Sequence, residues 1–295
     1  MIVYYALGGG LGHLTRARAV IHTLGLSEPV LLLTASPFGD DPRIVGNHAV
    51  LRVPDTLSTN RERFRDWLRA TLHTVQPTAI YLDVFPAGIC GEWDATLLPA
   101  DVPVYLLARL LRWQRYVPRL PATPLHFDTA YMLEPLQADH TAYLHTYARH
   151  IQPLSLIDPP APMVPPVLLL PEDGPHWLIV HAGSDHETAE LLAYARLRAA
   201  QHHVLPRLWL VAPQRPAWLP SVVGYLDCMP AQALFVQADM VISAGGFNIM
   251  RQMHPYQSHH APLPFARAFD DQFGRVARYR IARAFTPLTD SKGTI

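Results

Sequence analysis

The stretch IVYYALGGGLGHLTRARAVIHTLGLSEPVLLLT, residues 2–34, decides the fold. Ile2–Leu7 is a continuous apolar run rich in β-branched and aromatic side chains, which is typical of a buried strand. A glycine run, Gly8–Gly12, follows it, and Leu14–Leu24 then repeats apolar residues at helical spacing. A second apolar run, Pro29–Thr34, completes a strand–turn–helix–strand unit, which predicts a parallel sheet.

The same alternation continues to the middle of the chain. One amphipathic helix and two strands are predicted, at 62–75, 78–82 and 102–107. Prolines then occupy five of the nine residues of 158–166, and proline cannot continue a helix or a central strand. We therefore predict an N-terminal domain at 1–157, an extended linker at 158–166 and a C-terminal domain at 167–295.

The second half restarts the pattern of the first half. Strands are predicted at 177–181, 207–212 and 240–243. Glycine-containing turns follow the first and the last of these strands, AGSD at 182–185 and AGGFN at 244–248, and each turn leads into a predicted helix. The expected fold class is therefore α/β, with one Rossmann-like parallel-sheet domain in each half.

Composition excludes several classes of protein. Of the 295 residues 49% are apolar, which provides for a buried core and excludes a disordered chain. Basic and acidic residues number 24 each, so we expect no nucleic acid as partner. Lys292 is the only lysine, which excludes Schiff-base or Walker-loop chemistry in the body of the chain.

The cysteines and the apolar runs predict where in the cell the protein is located. Cys90 and Cys228 form no disulfide framework or metal motif, and the N-terminal run lacks the features of a signal peptide, so we expect a cytoplasmic protein. No apolar run reaches the roughly 20 residues of a membrane span. Residues 106–120 place arginines at three- and four-residue steps between leucines. They predict an amphipathic helix, either with a solvated arginine face or with weak peripheral contact to a membrane.

The first glycine turn and a nearby strand end carry candidate site residues. Gly9, Gly10 and Gly12 let the backbone approach a ligand closely. His13 at the start of the helix has its charged form disfavoured, which keeps it available as a base; the alternative is a capping or packing histidine. Asp83 ends a predicted strand, where it orients His13, binds an acceptor or caps the next turn.

The second half offers two further turns. Gly183 and Ser184 could hold a phosphate, or Ser184 could simply cap the next helix. The other turn forms a second anion nest, with Gly245, Gly246 and Asn248. A group of hydrogen-bonding residues that suits sugar hydroxyls, or merely a solvated helix start, comes after it: Arg267, Asp270, Asp271 and Gln272.

These three turns, in this order and in two α/β halves, resemble the GT-B glycosyltransferases. The group in question includes the N-acetylglucosaminyltransferase of peptidoglycan synthesis and the UDP-glycosyltransferases. Gly8–Ala17 (GGGLGHLTRA) resembles that group's N-terminal glycine loop. Ala238–Asn248 (ADMVISAGGFN) with Asp270–Arg275 (DDQFGR) resembles its nucleotide-sugar motif. The resemblance implies two Rossmann-like domains facing a cleft, with the acceptor bound by the first and the nucleotide sugar by the second.

The resemblance also implies roles for individual residues. His13 would be the general base for the acceptor hydroxyl. Gln252 stands where the group often has a ribose-binding glutamate, and a glutamine both accepts and donates, whereas a carboxylate accepts twice from a diol. Residues that would contact the phosphates or the sugar of the donor are Ser184, Gly245, Gly246, Asn248, Asp271 and Gln272.

The implied reaction is sugar transfer from a nucleotide diphosphate sugar, a UDP-sugar by resemblance, to an acceptor hydroxyl, with inversion. Since the sequence has no Asp-x-Asp motif and its histidine pairs lack further ligands at metal spacing, we expect no metal and no other cofactor. Three alternatives stay open: a nucleotide-sugar epimerase or hydrolase, a non-catalytic relative that binds the nucleotide sugar, and a nicotinamide-dependent oxidoreductase. The glycines and the acidic residue expected for the last are misplaced.

Overall fold

The computed structural model describes residues 1–57, 60–98, 101–160, 171 and 174–285, with the backbone alone at position 285. The chain divides into two compact units. The first comprises Met1–Ala161 with Ala268–Asp270, and the second comprises Pro162–Arg267 with Asp271–Ile295. From residue 161 onward, the proline-rich linker predicted at 158–166 lies outside the described residues.

The first unit is built on a parallel sheet with seven described strands. They are β1 (Ile2–Tyr5), β2 (Val30–Thr34), β3 (Ala49–Arg52), β4 (Ala79–Asp83), β5 (Val104–Ala108), β6 (Phe127–Met132) and β7 (Ala148–Pro153). Their order across the sheet is β3-β2-β1-β4-β5-β6-β7, and every neighbouring pair is parallel. The accompanying helices are α1 (Leu11–Leu24), α2 (Pro42–Val45), α3 (Arg61–Val75), α4 (Trp113–Tyr116) and α5 (Ala138–Tyr147).

The first sheet is packed against α3 through one face of β1. Val3 and Tyr5 share a buried cluster with Phe64 and Leu68 of α3. Burying a side chain of this size contributes about 1.5–3 kcal/mol. Helix α1 ends at Gly25, whose φ of 60° lies in the left-handed region that glycine adopts without strain. The chain can therefore reverse sharply into β2.

The second unit is built on a parallel sheet with five described strands. They are β8 (His176–Val180), β9 (Arg207–Val211), β10 (Gly224–Leu226), β11 (Met240–Ala244) and β12 (His260–Leu263), in the order β10-β9-β8-β11-β12. Its helices are α6 (Asp185–Gln201), α7 (Phe247–Gln252) and α8 (Gln272–Phe285). Separate apolar clusters contain Ile179 and Leu178, neighbouring residues of β8 whose side chains point to opposite faces, so the sheet is buried on both sides.

Strand order reverses once in each sheet, and the reversals locate the candidate sites. In the first sheet the reversal lies between β1 and β4, and in the second between β8 and β11. Ligands of parallel α/β sheets bind outside the carboxyl ends of the strands at such a reversal. The three glycine turns singled out in the sequence follow β1, β8 and β11, and Asp83 is the last residue of β4.

The two parallel sheets predicted from the sequence are confirmed, but one predicted helix is wrong. Residues 106–120 end β5 and continue through the single helical turns Trp113–Tyr116 and Val117–Arg119. Their leucine spacing reflects burial in a strand and a packed loop, because Leu110 and Leu111 are at most 1% exposed. The interfacial helix expected for peripheral membrane contact is therefore not formed. Within the described ranges, no helix combines the length and the apolar character needed to cross a membrane.

Candidate functional site

The first candidate site contains His13 and Asp83. Helix α1 places His13 in its first turn, and Asp83 ends β4, the neighbour of β1. Nδ1 of His13 lies 2.5 Å from Oδ2 of Asp83. The carboxylate is fully buried, whereas the imidazole is 15% exposed. Because an ionised carboxylate only accepts hydrogen bonds, we assign the imidazole proton to Nδ1, which leaves a lone pair on Nε2.

The charge state of this pair follows from its surroundings. Burial lowers the pKa of His13, and Asp83 only partly offsets this effect. Burial alone would raise the pKa of Asp83, but Arg16 and His13 beside it lower that pKa to about 2. At neutral pH the site therefore holds a neutral imidazole against an ionised carboxylate, the state that a general base requires.

Arg16 completes this cluster, and the sequence analysis did not identify it. Its Nε lies 2.5 Å from Oδ1 of Asp83, and its Nη2 lies 2.6 Å from Oδ2. The side chain is 2% exposed. A usable signal was present, because residues three apart on a helix share a face and Arg16 follows His13 by three.

Gly8 is the glycine that the histidine requires. A Cβ atom on Gly8 would lie 2.1 Å from Cδ2 of His13, so any side chain there would displace the imidazole. At Gly9 and Gly10 an added Cβ would meet no atom within 4 Å. These two predicted acceptor-loop positions therefore border open space, while Gly12 lies within α1 itself.

The backbone after Asp83 is strained. Val84 has φ 78°, and the amide of Phe85 donates to the carbonyl of Asp83 at 3.0 Å. This is a γ-turn with positive φ, which is rare and costly for a β-branched residue. Val84 and Phe85 pack in a buried cluster with Trp113 and Tyr116, which holds the turn in place.

Another ion pair of the first unit joins Arg109 and Asp270. Nη1 of Arg109 contacts Oδ1 of Asp270 at 2.8 Å, with side chains 9% and 12% exposed. The segment Ala268–Asp270 is anchored there, because the amide of Arg112 donates to the carbonyl of Phe269 at 2.7 Å. Asp270, expected in a group suited to sugar hydroxyls, is instead paired with a buried arginine.

The loop after β8 forms the first part of the candidate site in the second unit. Oγ of Ser184 accepts a hydrogen bond from the amide of Glu187 at 3.3 Å and caps α6. The expected capping role is thus observed, and it is compatible with phosphate contact. A Cβ atom on Gly183 would lie 2.4 Å from Nε2 of His181, so a side chain there would displace the imidazole.

A cluster of His181, Glu187 and Arg267 lies beside this loop. Nε2 of His181 lies 3.0 Å from Oε2 of Glu187, and Arg267 holds both carboxylate oxygens of Glu187, one of them at 2.8 Å. Burial would raise the pKa of Glu187, but Arg267 and His181 outweigh it and lower that pKa. The sequence pointed to Arg267 alone. The cluster fixes its guanidinium beside the loop.

The loop after β11 is held by a buried arginine. Nη1 of Arg275, a buried side chain, donates to the carbonyl of Gly245 at 2.9 Å. Gly246 precedes α7, and Asn248 lies in its first turn. Nε2 of Gln252, the predicted ribose-binding position, donates to Oε1 of Gln232 at 2.9 Å.

The predicted sugar-binding pair has local structural roles. Oδ1 of Asp271 accepts from the amide of Gly274 at 3.0 Å at the start of α8. Gln272 is 4% exposed, and its Oε1 accepts from the amide of Phe265 at 3.0 Å. Their contact with a donor sugar stays a prediction. Among the residues that the structure describes, no three His, Cys, Asp or Glu side chains converge in a way that could hold a metal ion.

Comparisons with known proteins connect these observations to one fold. No protein-family model matches the chain. A search of curated proteins gave no significant match. Solved structures do match, among them the spinosyn rhamnosyltransferase SpnG complexed with thymidine diphosphate, at 14% identity and a TM-score of 0.58, covering 96% of this chain and 85% of that one.

Two further structures match over similar lengths. MurG of Acinetobacter baumannii matches at 14% identity and a TM-score of 0.55, covering 96% of this chain and 83% of its own. A putative UDP-N-acetylglucosamine 2-epimerase from Listeria monocytogenes matches at 10% identity and a TM-score of 0.52, covering 96% and 86%. At these identities the likeness establishes architecture rather than activity. Two parallel-sheet units and full-length matches of this kind mean that the chain has the fold of the GT-B glycosyltransferases.

Proposed function

We propose that the chain is a glycosyltransferase that moves a sugar from a nucleotide diphosphate sugar to an acceptor hydroxyl. The observation that carries the proposal is the His13–Asp83 pair at the strand-order reversal of the first sheet, with Nε2 of a neutral imidazole available as base. Nε2 takes the proton of the acceptor hydroxyl as its oxygen bonds to the anomeric carbon. The bond from that carbon to the diphosphate breaks, and the diphosphate leaves with the electron pair.

Asp83 supports the base in two ways. Its hydrogen bond to Nδ1 fixes the tautomer and the orientation of the imidazole. Its negative charge stabilises the imidazolium that forms when Nε2 has taken the proton. A single displacement by one base inverts the configuration of the anomeric carbon, so we propose an inverting reaction.

The donor is assigned to the second unit. Ser184 at the start of α6, a helix of 17 residues, and Gly246 before α7 offer amides to a diphosphate. Arg267, fixed by Glu187, places a partly exposed guanidinium near the same loop. These groups can stabilise the leaving diphosphate without a metal, so we expect transfer to persist in the presence of a chelator.

The donor nucleotide can be identified by thermal shift. The sequence resemblance favours a uridine nucleotide, whereas the SpnG structure contains thymidine diphosphate. The full chain is therefore screened with UDP, TDP and GDP, with the corresponding nucleosides as controls. A ligand of the folded state at a hundred times its Kd raises the unfolding free energy by about 2.7 kcal/mol. We expect one diphosphate to raise Tm and its nucleoside to raise it far less.

His13→Ala tests the base. We expect the transfer rate to fall by about 10²- to 10⁴-fold, because a positioned general base contributes that much. The affinity for the nucleotide diphosphate, measured by calorimetry, should stay within about twofold, since the assigned donor groups belong to the other unit. Transfer at the wild-type rate would remove His13 from the mechanism.

A nucleotide-sugar epimerase or hydrolase is the second candidate, and the match to the Listeria structure favours it. Such an enzyme converts the donor without an acceptor, so incubation with donor alone separates the two.

A binding protein without turnover is the third candidate. It is favoured by Gln252, which stands where the resemblance expects a ribose-binding glutamate. The side-chain amide of Gln252 donates to Gln232. Donor binding with no product over a broad acceptor panel would support it.

A further inference from the structure

Asp83 is shared by two partners that contact the same oxygen. Oδ2 of Asp83 accepts hydrogen bonds from Nδ1 of His13 at 2.5 Å and from Nη2 of Arg16 at 2.6 Å. Nε of Arg16 takes the other oxygen at 2.5 Å. Nη2 lies 3.3 Å from Nδ1 of His13, so the guanidinium charge is almost in contact with the imidazole.

We propose that Arg16 is a positioning residue that keeps the His13–Asp83 pair in its base-competent state. The catalytic meaning of this inference rests on the proposed glycosyl transfer, but the effect on the pair does not require it. Arg16 acts through Asp83 and has no contact with substrate in this account.

The first part of the argument is the balance of charge. Besides Asp83, the charged groups that act on the imidazole are Arg16 and Arg109, and both disfavour an imidazolium. Nη2 of Arg16 lies 3.3 Å from Nδ1, and Arg16 has the larger effect of the two, while Arg109 is paired with Asp270. Tyr4, buried beside Asp83, is neutral because burial raises its pKa well above the ordinary value. Without Arg16, the negative charge of the buried Asp83 would keep a proton on the His13–Asp83 pair up to a higher pH than in the wild type.

The second part is geometry. A guanidinium presents two parallel N–H groups and grips both oxygens of a carboxylate, which fixes the carboxylate plane. Asp83 is the last residue of β4 and precedes the strained turn at Val84, so its side chain needs this restraint to direct Oδ2 at Nδ1. A lysine would keep the charge but offer a single point of contact.

The test compares Arg16→Met and Arg16→Lys with Arg18→Met. Arg18 is a matched control because it lies on the same helix and donates instead to the carbonyl of Arg43, at 2.6 Å. Titration of the imidazole is followed by ¹⁵N NMR and assigned by its loss in His13→Ala. Where transfer is measurable, kcat/KM is also recorded against pH, because its acidic limb reports the free base.

We expect Arg16→Met to raise the pKa of the pair by about one unit or more and to move the acidic limb equally. Arg16→Lys should leave the titration within about half a unit but lower kcat about tenfold, because the charge remains and the two-point grip is lost. Arg18→Met should change neither. An unchanged titration in a folded Arg16→Met would overturn the proposal.

A second comparison covers the case in which Arg16→Met does not fold, since it leaves Asp83 buried without its cation. Asp83→Asn should lower the pKa of His13, and adding Arg16→Met to that variant should raise it again. Equal titrations in the two variants would contradict a role for Arg16. If the chain transfers no sugar, the proposed function fails while the NMR titration still decides the role of Arg16.

Discussion

At the scale of single residues, the candidate site combines features that sequence can and cannot reveal. His13 and Asp83 were identifiable because glycines, a helix start and a strand end surround them. The structure brings them together at 2.5 Å. Arg16 was not predicted as a site residue, because an arginine outside the apolar stripe of a helix normally faces solvent. Its spacing from His13 places it on the same helix face, and the structure shows that a buried carboxylate lies opposite it.

Gly8→Ala tests the fit between the glycine turn and His13. The added methyl group would displace the imidazole, since its carbon would lie 2.1 Å from Cδ2. We expect transfer to fall about 10²-fold, as a misplacement of about 1 Å can cause. Gly9→Ala, where the methyl group meets no atom within 4 Å, should lower the rate less. Equal rates for Gly8→Ala and the wild type would show that the imidazole position is not critical.

At the scale of elements, long apolar runs predict the observed strands correctly, whereas short or mixed segments do not. The predicted strands at 78–82 and 177–181 lie within one residue of Ala79–Asp83 and His176–Val180. The sequence analysis did not identify β3, β6, β7, β10 or β12. Ala49–Arg52, for example, has four residues and little full burial, so neither length nor periodicity distinguishes it from a loop. The helix predicted at 106–120 is wrong because the buried leucines of a loop fall at helical spacing.

Ser184 allows capping of α6 to be separated from phosphate binding. Ser184→Ala removes the cap and should lower the unfolding free energy by about 1 kcal/mol. Ser184→Asp keeps a capping oxygen, so stability should stay within a few tenths of a kcal/mol. Its negative charge should nevertheless weaken nucleotide diphosphate binding about tenfold, since like charges repel at short range.

The control ligand for Ser184→Asp is the matching nucleoside, which carries no phosphate. Its affinity should be the same in Ser184→Asp and in the wild type. If the diphosphate also binds both proteins equally, Ser184 is a cap and nothing more. Denaturant unfolding and calorimetry on the same preparations give both readings.

At the scale of the whole molecule, two buried histidines link stability to pH. His140 is fully buried and stacks 4.1 Å from Trp113. His260 is also fully buried and contacts Ser243 through Nε2 at 2.8 Å. Burial lowers the pKa of His140 to about 4, and that of His260 to about 3 with a smaller contribution from Arg283. The unfolded chain protonates these groups near pH 6.5, and the folded chain does not.

The chain should therefore lose stability well before its carboxylates titrate. Full stability is present above pH 6.5 and falls by about 1.4 kcal/mol per pH unit for each histidine, until the folded pKa is reached. Asp83 adds a further loss between about pH 4 and pH 2, worth about 2 kcal/mol, because its folded pKa is lowered. Urea unfolding between pH 7.5 and pH 4.5 measures the slope.

His140→Phe isolates one of these contributions. Phenylalanine keeps the stacking on Trp113 and removes the ionisable ring, so the pH slope should fall by the contribution of one histidine, about 1.4 kcal/mol per pH unit. His22→Gln, at an exposed position near the end of α1, serves as the control and should leave the slope unchanged. A slope in His140→Phe equal to that of the wild type would contradict this account of acid sensitivity.

The most direct test of the central claim is ³¹P NMR of a nucleotide diphosphate sugar incubated with the full chain, with and without an acceptor panel. The donor is the one whose nucleotide gives the largest thermal shift, and a chelator is present throughout. The account predicts that free nucleoside diphosphate appears only with an acceptor, and that His13→Ala slows its appearance about 10²- to 10⁴-fold. Release without any acceptor, or an unchanged rate in His13→Ala, would contradict it.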